Sequence, residues 1–339
     1  MRHSTCLMSR VLQYQTFMKK LTLLFAIATL FFACEPKNPI DNGGNNQNDT
    51  TQNSTGAILS PEGTLCGVFS IGKGKTVMFS KGNLQYQAST GVWRFAEKQY
   101  DVVGKNNEKI SDTYDGWIDL FGWGTSGYNE KHPYIWDAEH TFFGDGMNAI
   151  SGTNYDWGVN NAISNGENKA GMWRTLTAEE WGYLLFDRKD AAKLVGAGTV
   201  NGHNGLFILP DDETDGVFTN HKEESVSFVS FSDKGAQHDG DYWYYGISGA
   251  FSHNAYSIEE FAILEGKGVV FLPSSAFRAG DTFMTGMTSS IVEGYYWTGI
   301  PHDEEKAYIV YIFGNGLRSK TENYRSNGFS VRLVYDIKQ

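Results

Sequence analysis

Cysteine is scarce in this chain of 339 residues, which holds only Cys6, Cys34 and Cys66. A small exported domain that is held together by disulfides needs paired cysteines, and after position 34 only Cys66 remains. The sequence therefore excludes a disulfide framework. A folded region of roughly 270 residues is large enough to be stabilised by its hydrophobic core alone.

A basic run is also missing, and acidic residues are in excess. The chain has 28 Lys and Arg against 39 Asp and Glu, for a net charge of −11. Four of the basic residues and none of the acidic ones fall in positions 1–33, so 24 basic and 39 acidic residues remain, a charge of −15. An acidic domain without a basic patch argues against nucleic acid as a partner.

The chain has no apolar run long enough to span a bilayer, which takes about 20 residues. Its one long run, 21–32, follows Lys19-Lys20 and precedes Ala33-Cys34. This order is typical of a secretory signal, and Phe31 to Cys34 resembles a lipobox. We predict a signal peptide at 1–33, with translation starting at Met18, and a lipid on Cys34. The alternative is a buried hydrophobic helix.

Large apolar residues are rare from 34 to 60, where Asn, Gly and Thr dominate. Such a segment buries too little surface to offset the entropy of ordering it, so we predict a flexible tether. The folded domain then covers 61–339. The predicted location is outside the cytoplasm, anchored by lipid to a membrane, at the outer membrane or cell surface. The sequence does not say which membrane leaflet holds the anchor.

Proline is low, with 7 residues, whereas glycine reaches 39 and aromatic residues 14%. This mixture favours short strands joined by turns. Capping boxes at Thr177-Ala178-Glu179-Glu180 and Ser257-Ile258-Glu259-Glu260 predict the starts of two helices. Together they predict the α+β class. The predicted strands are 205–209, 225–231, 268–272, 295–298, 307–313 and 329–335.

Three motifs carry a resemblance to a known family. They are Trp173-Arg174-Thr175-Leu176-Thr177 with Glu179-Glu180-Trp181, then Tyr296-Trp297-Thr298-Gly299, then Gly328-Phe329-Ser330-Val331-Arg332-Leu333-Val334. Over roughly 65–336 the chain resembles bacterial C-type-lectin-like domains. These are related to formylglycine-generating, sulfatase-modifying enzymes and to the Fibrobacter succinogenes major paralogous domain. Stretches 79–86 and 117–127 resemble Bacteroidetes members. The resemblance implies a twisted antiparallel sheet flanked by two helices, with long loops on one face.

Catalytic patterns are absent. The formylglycine-generating relatives use a pair of cysteines near the C-terminus, and no cysteine follows Cys66, so that activity does not carry over. Neither a His-Glu-x-x-His zinc motif nor a Gly-x-Ser-x-Gly elbow occurs. His302 and Asp303 are adjacent, but neighbours in a strand point to opposite faces, which predicts exposed loop histidines. A glycosidase carboxylate pair stays open, because its test is a distance.

Asp211, Glu213 and Asp215 fall at the first, third and fifth places of a calcium loop, but the twelfth place is Lys222. Calcium is therefore a weak prediction, with a solvated acidic turn as its alternative.

Aromatic runs offer candidate binding surfaces, because Tyr and Trp combine an apolar face with a polar edge. In Tyr242-Trp243-Tyr244-Tyr245, strand alternation predicts Tyr242 and Tyr244 at the surface. The same alternation predicts that half of Tyr295-Tyr296-Trp297 is core, with Trp297 in it.

A polar segment at 315–327 is predicted to be a loop between two strands. In some relatives of the family, which are receptors diversified by retroelements, variable residues lie at this place. The candidate ligand-binding residues there are Arg318, Asn323, Tyr324, Arg325 and Asn327. The alternative is an ordinary polar loop.

The leading hypothesis is a cell-envelope lipoprotein whose domain binds a glycan or a partner protein through these residues. An envelope enzyme acting on glycans is the second hypothesis. A structural adhesin or fimbrial component is the third, and an unpaired edge strand would favour it.

Overall fold

Short strands dominate the computed structural model, which describes residues 60–136, 142–244, 250–285, 293–314 and 316–338. The predicted signal peptide, the tether to position 59 and the lipidation residue Cys34 lie outside these ranges. The strands are β1 (Phe69–Gly72), β2 (Lys75–Phe79), β3 (Leu84–Gln87), β4 (Val92–Phe95), β5 (Arg174–Thr175), β6 (Val195–Val200), β7 (His203–Ile208), β8 (Val217–Thr219), β9 (Ser225–Ser227), β10 (Gln237–Asp239), β11 (Tyr242–Tyr244), β12 (Ala255–Tyr256), β13 (Val270–Pro273), β14 (Phe277–Ala279), β15 (Thr282–Met284), β16 (Gly294–Pro301), β17 (Lys306–Phe313), β18 (Gly316–Tyr324) and β19 (Leu333–Asp336).

The predicted α+β class is wrong, because only 15% of the structure is helical and no pair of long helices flanks a sheet. The described α-helices are α1 (Trp157–Asn160), α2 (Ala178–Gly182) and α3 (Ile258–Glu265). Both predicted capping boxes are present, at Thr177 and at Ser257. A cap determines where a helix begins and not how far it runs. After α2 the chain continues only as a single π-helical turn, Tyr183–Asp187.

A five-stranded sheet, in the order β10-β11-β18-β17-β16 and antiparallel throughout, organises the part of the chain that concerns function. Two four-stranded sheets have the orders β1-β2-β19-β5 and β12-β6-β7-β13. Three hairpins complete the set, β3-β4, β8-β9 and β14-β15.

Both faces of the five-stranded sheet contact a hydrophobic core over part of their area. Tyr295, Trp297 and Ile309 belong to one core, which we call the front core, with Phe121 and Phe329. The other core, which we call the back core, takes Tyr296, Val310 and Ile312, which alternate with these along β16 and β17. It also takes Leu317 of β18 and Trp243 of β11. Alternation therefore divides β16 and β17 between two cores.

The family-like motifs lie in these cores. Trp173, Trp181 and Trp297 are each at most 1% exposed, and Trp297 is in the core as predicted. The run Tyr295-Tyr296-Trp297 is buried throughout rather than by half, because the sheet has a core on each side at this point. The motifs that resemble the family thus stabilise the interior.

None of the described helices is long and apolar enough to cross a membrane.

Candidate functional site

Four aromatic rings from three strands form a row across the front face of the five-stranded sheet. Tyr242 in β11 pairs with Arg318 in β18, Arg318 pairs with Tyr311 in β17, and Tyr311 pairs with Tyr295 in β16. Phe313 lies two residues beyond Tyr311 on the same face. We call Tyr295, Tyr311, Phe313 and Tyr242 the aromatic row.

The rings of the row stack in sequence. Ring centroids are 4.9 Å apart for Tyr295 and Tyr311, 4.9 Å for Tyr311 and Phe313, and 5.9 Å for Phe313 and Tyr242, with interplanar angles below 30°. Offset stacking at such distances is favourable and fixes the rings relative to one another. Tyr295 is buried against Phe329, whereas Tyr311, Phe313 and Tyr242 are half-buried. The row therefore leads from the front core out to solvent.

A single carboxylate holds the inner end of the row. Glu293 accepts hydrogen bonds from the hydroxyls of Tyr295 (2.7 Å to Oε2) and Tyr311 (2.9 Å to Oε1). Burial, reinforced by these contacts with Glu293, raises the pKa of Tyr311 to about 12 and raises that of Tyr295 further. Both hydroxyls therefore keep their protons at physiological pH.

Arg318 forms the charged end of the site. Its Cζ lies 4.5 Å from the centroid of the Tyr242 ring, a cation–π contact, and its side chain is exposed. The structure records no ion pair or hydrogen bond from its guanidinium to any residue in the described ranges. A planar cation with unused donors, beside aromatic rings, suits hydroxyl or carboxylate groups of a ligand.

The segment 315–327, predicted to be a loop, is mostly the strand β18. Between Arg318 and Thr321 this strand has one residue more than its partner β17, which is a β-bulge. Tyr324 pairs with Lys306, and Arg318 pairs with Tyr311, five positions further along β17. Odd spacing along a regular strand means opposite faces. The predicted candidates Arg318 and Tyr324 are therefore on opposite sides of the sheet.

The other candidates of this segment divide in the same way. Asn323 pairs with Ala307, a residue of the front core, so it shares the face of the row. Its Oδ1 accepts from Nδ2 of Asn327 (2.8 Å) and from the amide of Tyr324, so both asparagines are engaged within the turn. The backbone of Tyr244 pairs with Gly316, and its side chain lies outside what the structure describes.

Arg325 is completely buried and acts inside the fold. Its guanidinium donates to the carbonyls of Lys306 (Nε, 3.2 Å), Phe143 (Nη1, 3.2 Å) and Asp303, and it lies 4.5 Å from the ring centroid of Trp123. The structure therefore places this predicted ligand-binding residue away from any ligand.

The three calcium candidates do not converge. The Oδ1 atom of Asp211 is 2.7 Å from Nη1 of the buried Arg188, and its Oδ2 accepts from the amide of Ser70 (2.9 Å). Nowhere in the described ranges do three Asp, Glu, His or Cys side chains form a group that could hold a metal. The geometry gives the calcium interpretation no support.

His302 is an exposed turn residue, as predicted for a loop histidine, but its side chain does not point away from that of Asp303. They lie in the turn between β16 and β17, where His302 Nδ1 and Asp303 Oδ2 are 2.9 Å apart. Turn geometry and not strand alternation decides their orientation. Burial alone would raise the pKa of Asp303, but the hydrogen bond from His302 and those from the backbone amides of Glu305 and Lys306 together outweigh it and lower the pKa.

Sequence reasoning missed Tyr311, Phe313 and Glu293 as site residues. Tyr311 and Phe313 alternate with Ile312 within a segment that was predicted to be a strand, and this spacing alone puts both on one face. The register with β18 and β11, which brings distant residues to this face, has no signal in a single sequence.

Comparison of the chain with protein-family models, with curated proteins and with solved structures gives no match. The likeness to bacterial C-type-lectin-like domains therefore stays a prediction that rests on the sequence motifs alone.

Proposed function

We propose that this protein is an exported, lipid-anchored binding module that recognises a glycan through the aromatic row and Arg318. The observation that supports this most strongly is the outer half of the row, where Tyr311, Phe313 and Tyr242 stack beside an exposed guanidinium. Aromatic surfaces contact the C–H groups of a sugar ring, and tyrosine and arginine donors reach its hydroxyls.

The alternative functions receive less support. Glu293 lies at the inner end of the row and both of its oxygens already accept from tyrosine hydroxyls, which does not favour its use as an acid or base in glycoside hydrolysis. For the adhesin hypothesis, the five-stranded sheet has two edge strands. β10 has only three residues, and the outer backbone of the longer β16 is already bonded to Ser330 and Leu176. Donor-strand pairing takes a longer free edge than these.

The test is glycan-array binding by the full chain and by two variants of the proposed site, Tyr242→Ala in the row and Arg318→Ala beside it. We expect each to weaken binding by about tenfold or more, because each removes a contact that a bound sugar would make. The matched control is Tyr324→Ala, which removes an exposed tyrosine from the opposite face of the same sheet.

Thermal unfolding of all three variants checks that the fold is intact. A binding site on the front face would be contradicted if Tyr242→Ala and Tyr324→Ala lose equal glycan affinity. It would also be contradicted if neither Tyr242→Ala nor Arg318→Ala loses any. If the chain binds a partner protein through the row and binds no glycan, the ligand of this site is a protein and the glycan proposal is wrong.

A further inference from the structure

A second concave site lies beside the β3-β4 hairpin, and it shares no residue with the aromatic row. It is a cleft of about 460 Å³, which is within the range of small-molecule sites. Its lining includes Gln85, Arg94, Asp101, Asn106, Trp117 and His203. Gln85 and Arg94 are opposite each other in the hairpin, on the side that faces away from the buried pair Tyr86 and Trp93.

Arg94 is held in one position by the walls of the cleft. Its Cζ lies 3.8 Å from the ring centroid of Trp117, and its Nε donates to Oε1 of Gln85 at 2.9 Å. Its only ion pair in the described part of the chain is with Glu97, at 3.6 Å, and that carboxylate is 64% exposed. An exposed pair of this kind contributes little, so most of the guanidinium's donors remain available to a ligand.

The remaining polar groups of the cleft balance Arg94. Asp101 supplies a carboxylate, one oxygen of which accepts from the amide of Lys98 at 3.0 Å. His203 and the exposed Asn106 add groups that both donate and accept. Arg94 would attract an anion but Asp101 would repel it. A cation would be attracted by Asp101 and repelled by Arg94. Alternating donors and acceptors beside an aromatic wall match a neutral ligand with many hydroxyls.

We infer that this cleft binds one neutral sugar residue, with Arg94 and Asp101 bonding its hydroxyls and Trp117 forming the apolar wall. The inference does not depend on the proposed function of the aromatic row, because the two sites have separate residues. If both hold, the chain contacts a glycan at two points, and their binding energies combine.

The experiment is fluorine NMR of the full chain labelled with fluorotryptophan, in which the Trp117 resonance is identified by its absence from Trp117→Phe. The probes are tetraoses of glucose, xylose, mannose, galactose and N-acetylglucosamine, with the tetraoses of galacturonate and of glucosamine as charged counterparts. We expect at least one neutral tetraose to shift the Trp117 resonance in a saturable way. The charged tetraoses should bind more weakly.

Two variants test the role of the side chains. Arg94→Gln and the rim variant Asn106→Ala should each weaken that binding by about fivefold or more. Asn106 is exposed, so its removal leaves the fold intact even if Arg94→Gln disturbs the hairpin. Tyr242→Ala, on the aromatic row, should leave the Trp117 titration unchanged.

The inference is overturned if no neutral tetraose shifts the Trp117 resonance at millimolar concentration, or if a charged tetraose binds best. It is also overturned if Asn106→Ala and Arg94→Gln, both folded, bind as the natural chain does. Loss of the titration in Tyr242→Ala would show that the signal comes from the row, which would leave the proposed function standing and remove the second site.

Discussion

Among the residues that the structure describes, Asp119 and Asp156 are fully buried and form no ion pair, and backbone and side-chain donors hold both. Asp119 accepts from the amide of Val103 and from Nδ2 of Asn107, each at 2.8 Å. Asp156 accepts from the amide (2.8 Å) and hydroxyl (2.9 Å) of Thr175. Such contacts fix irregular segments that lack strand partners, at the expense of desolvating a carboxylate. Burial outweighs the donors and raises the pKa of each to about 6.

These two residues predict how stability depends on pH. A carboxyl whose folded pKa lies above its unfolded value contributes stability that is complete below the unfolded pKa and is lost as pH rises through the folded one. We expect the free energy of unfolding, measured with urea, to fall between pH 5 and pH 7.5 by roughly 1 kcal/mol for each aspartate.

The variant Asp119→Asn cannot ionise at this position. Its free energy of unfolding should therefore fall less between pH 5 and pH 7.5 than that of the natural protein, by the roughly 1 kcal/mol expected for one aspartate. Exposed Asp115→Asn is the matched control and should keep the natural profile. An Asp119→Asn profile as steep as the natural one would show that Asp119 does not carry this titration.

At the scale of elements, the turn between β16 and β17 is tied to a neighbouring loop by the buried Arg325 at the end of β18. One guanidinium donates to carbonyls of that turn and of Phe143. Burial lowers the pKa of Arg325 to about 10, so it remains charged at neutral pH. The sequence predicted a ligand-binding role for Arg325 from the polar composition around it. In the structure this residue holds elements together instead.

Arg325→Met should therefore act on stability. It keeps much of the side-chain volume but takes away the donor that Arg325 supplies to the carbonyls of Phe143 and Asp303, whereas the carbonyl of Lys306 still accepts from the amides of His302 and Asp303. We expect the free energy of unfolding to fall by roughly 3 kcal/mol. Arg318→Met in the same strand is exposed and should lose less than about 1 kcal/mol. Urea denaturation distinguishes them, and equal losses would contradict the assignment of Arg325 to the interior.

Local signals in the sequence predicted elements well where one chemical rule acts alone. The capping boxes at Thr177 and Ser257 mark true helix starts, and β17 was recognised from its apolar alternation. The strand β18 was missed because its residues from Arg318 to Asn323 are all polar. Their burial alternates along the strand, but the sequence has no alternation of apolar and polar residues there. The predicted two-helix layer failed because each cap starts a helix of only one or two turns.

At the scale of the molecule, the folded domain is acidic on the whole, yet Arg278, Arg325 and Arg332 are fully buried without a direct carboxylate partner among the described residues. Carbonyl and amide oxygens take their donors instead, as Asn83 and Gln99 do for Arg332. Buried arginines thus outnumber buried aspartates among the described residues, which leaves the surplus of acid at the surface.

The lipid anchor is tested on the whole chain in a bacterial host with a fatty-acid probe. We expect labelling of the natural protein and none of Cys34→Ser, because a lipoprotein is acylated at the cysteine that follows its signal. Cys66→Ser is the matched control and should label normally, since Cys66 lies in the folded domain, where its Sγ contacts the carbonyl of Gly266. If Cys34→Ser incorporates as much label as the natural protein, the prediction of a lipid anchor at Cys34 is wrong.

The four rings of the aromatic row come from positions 242, 295, 311 and 313, and their neighbour Arg318 comes from a further strand. No short stretch of the chain contains this surface. A peptide copied from any single strand would present isolated side chains without the spacing that the sheet register imposes. The recognition that we propose for the row would therefore be acquired only on folding. A change that shifts one strand by a residue would abolish it, although the sequence would still contain every row residue.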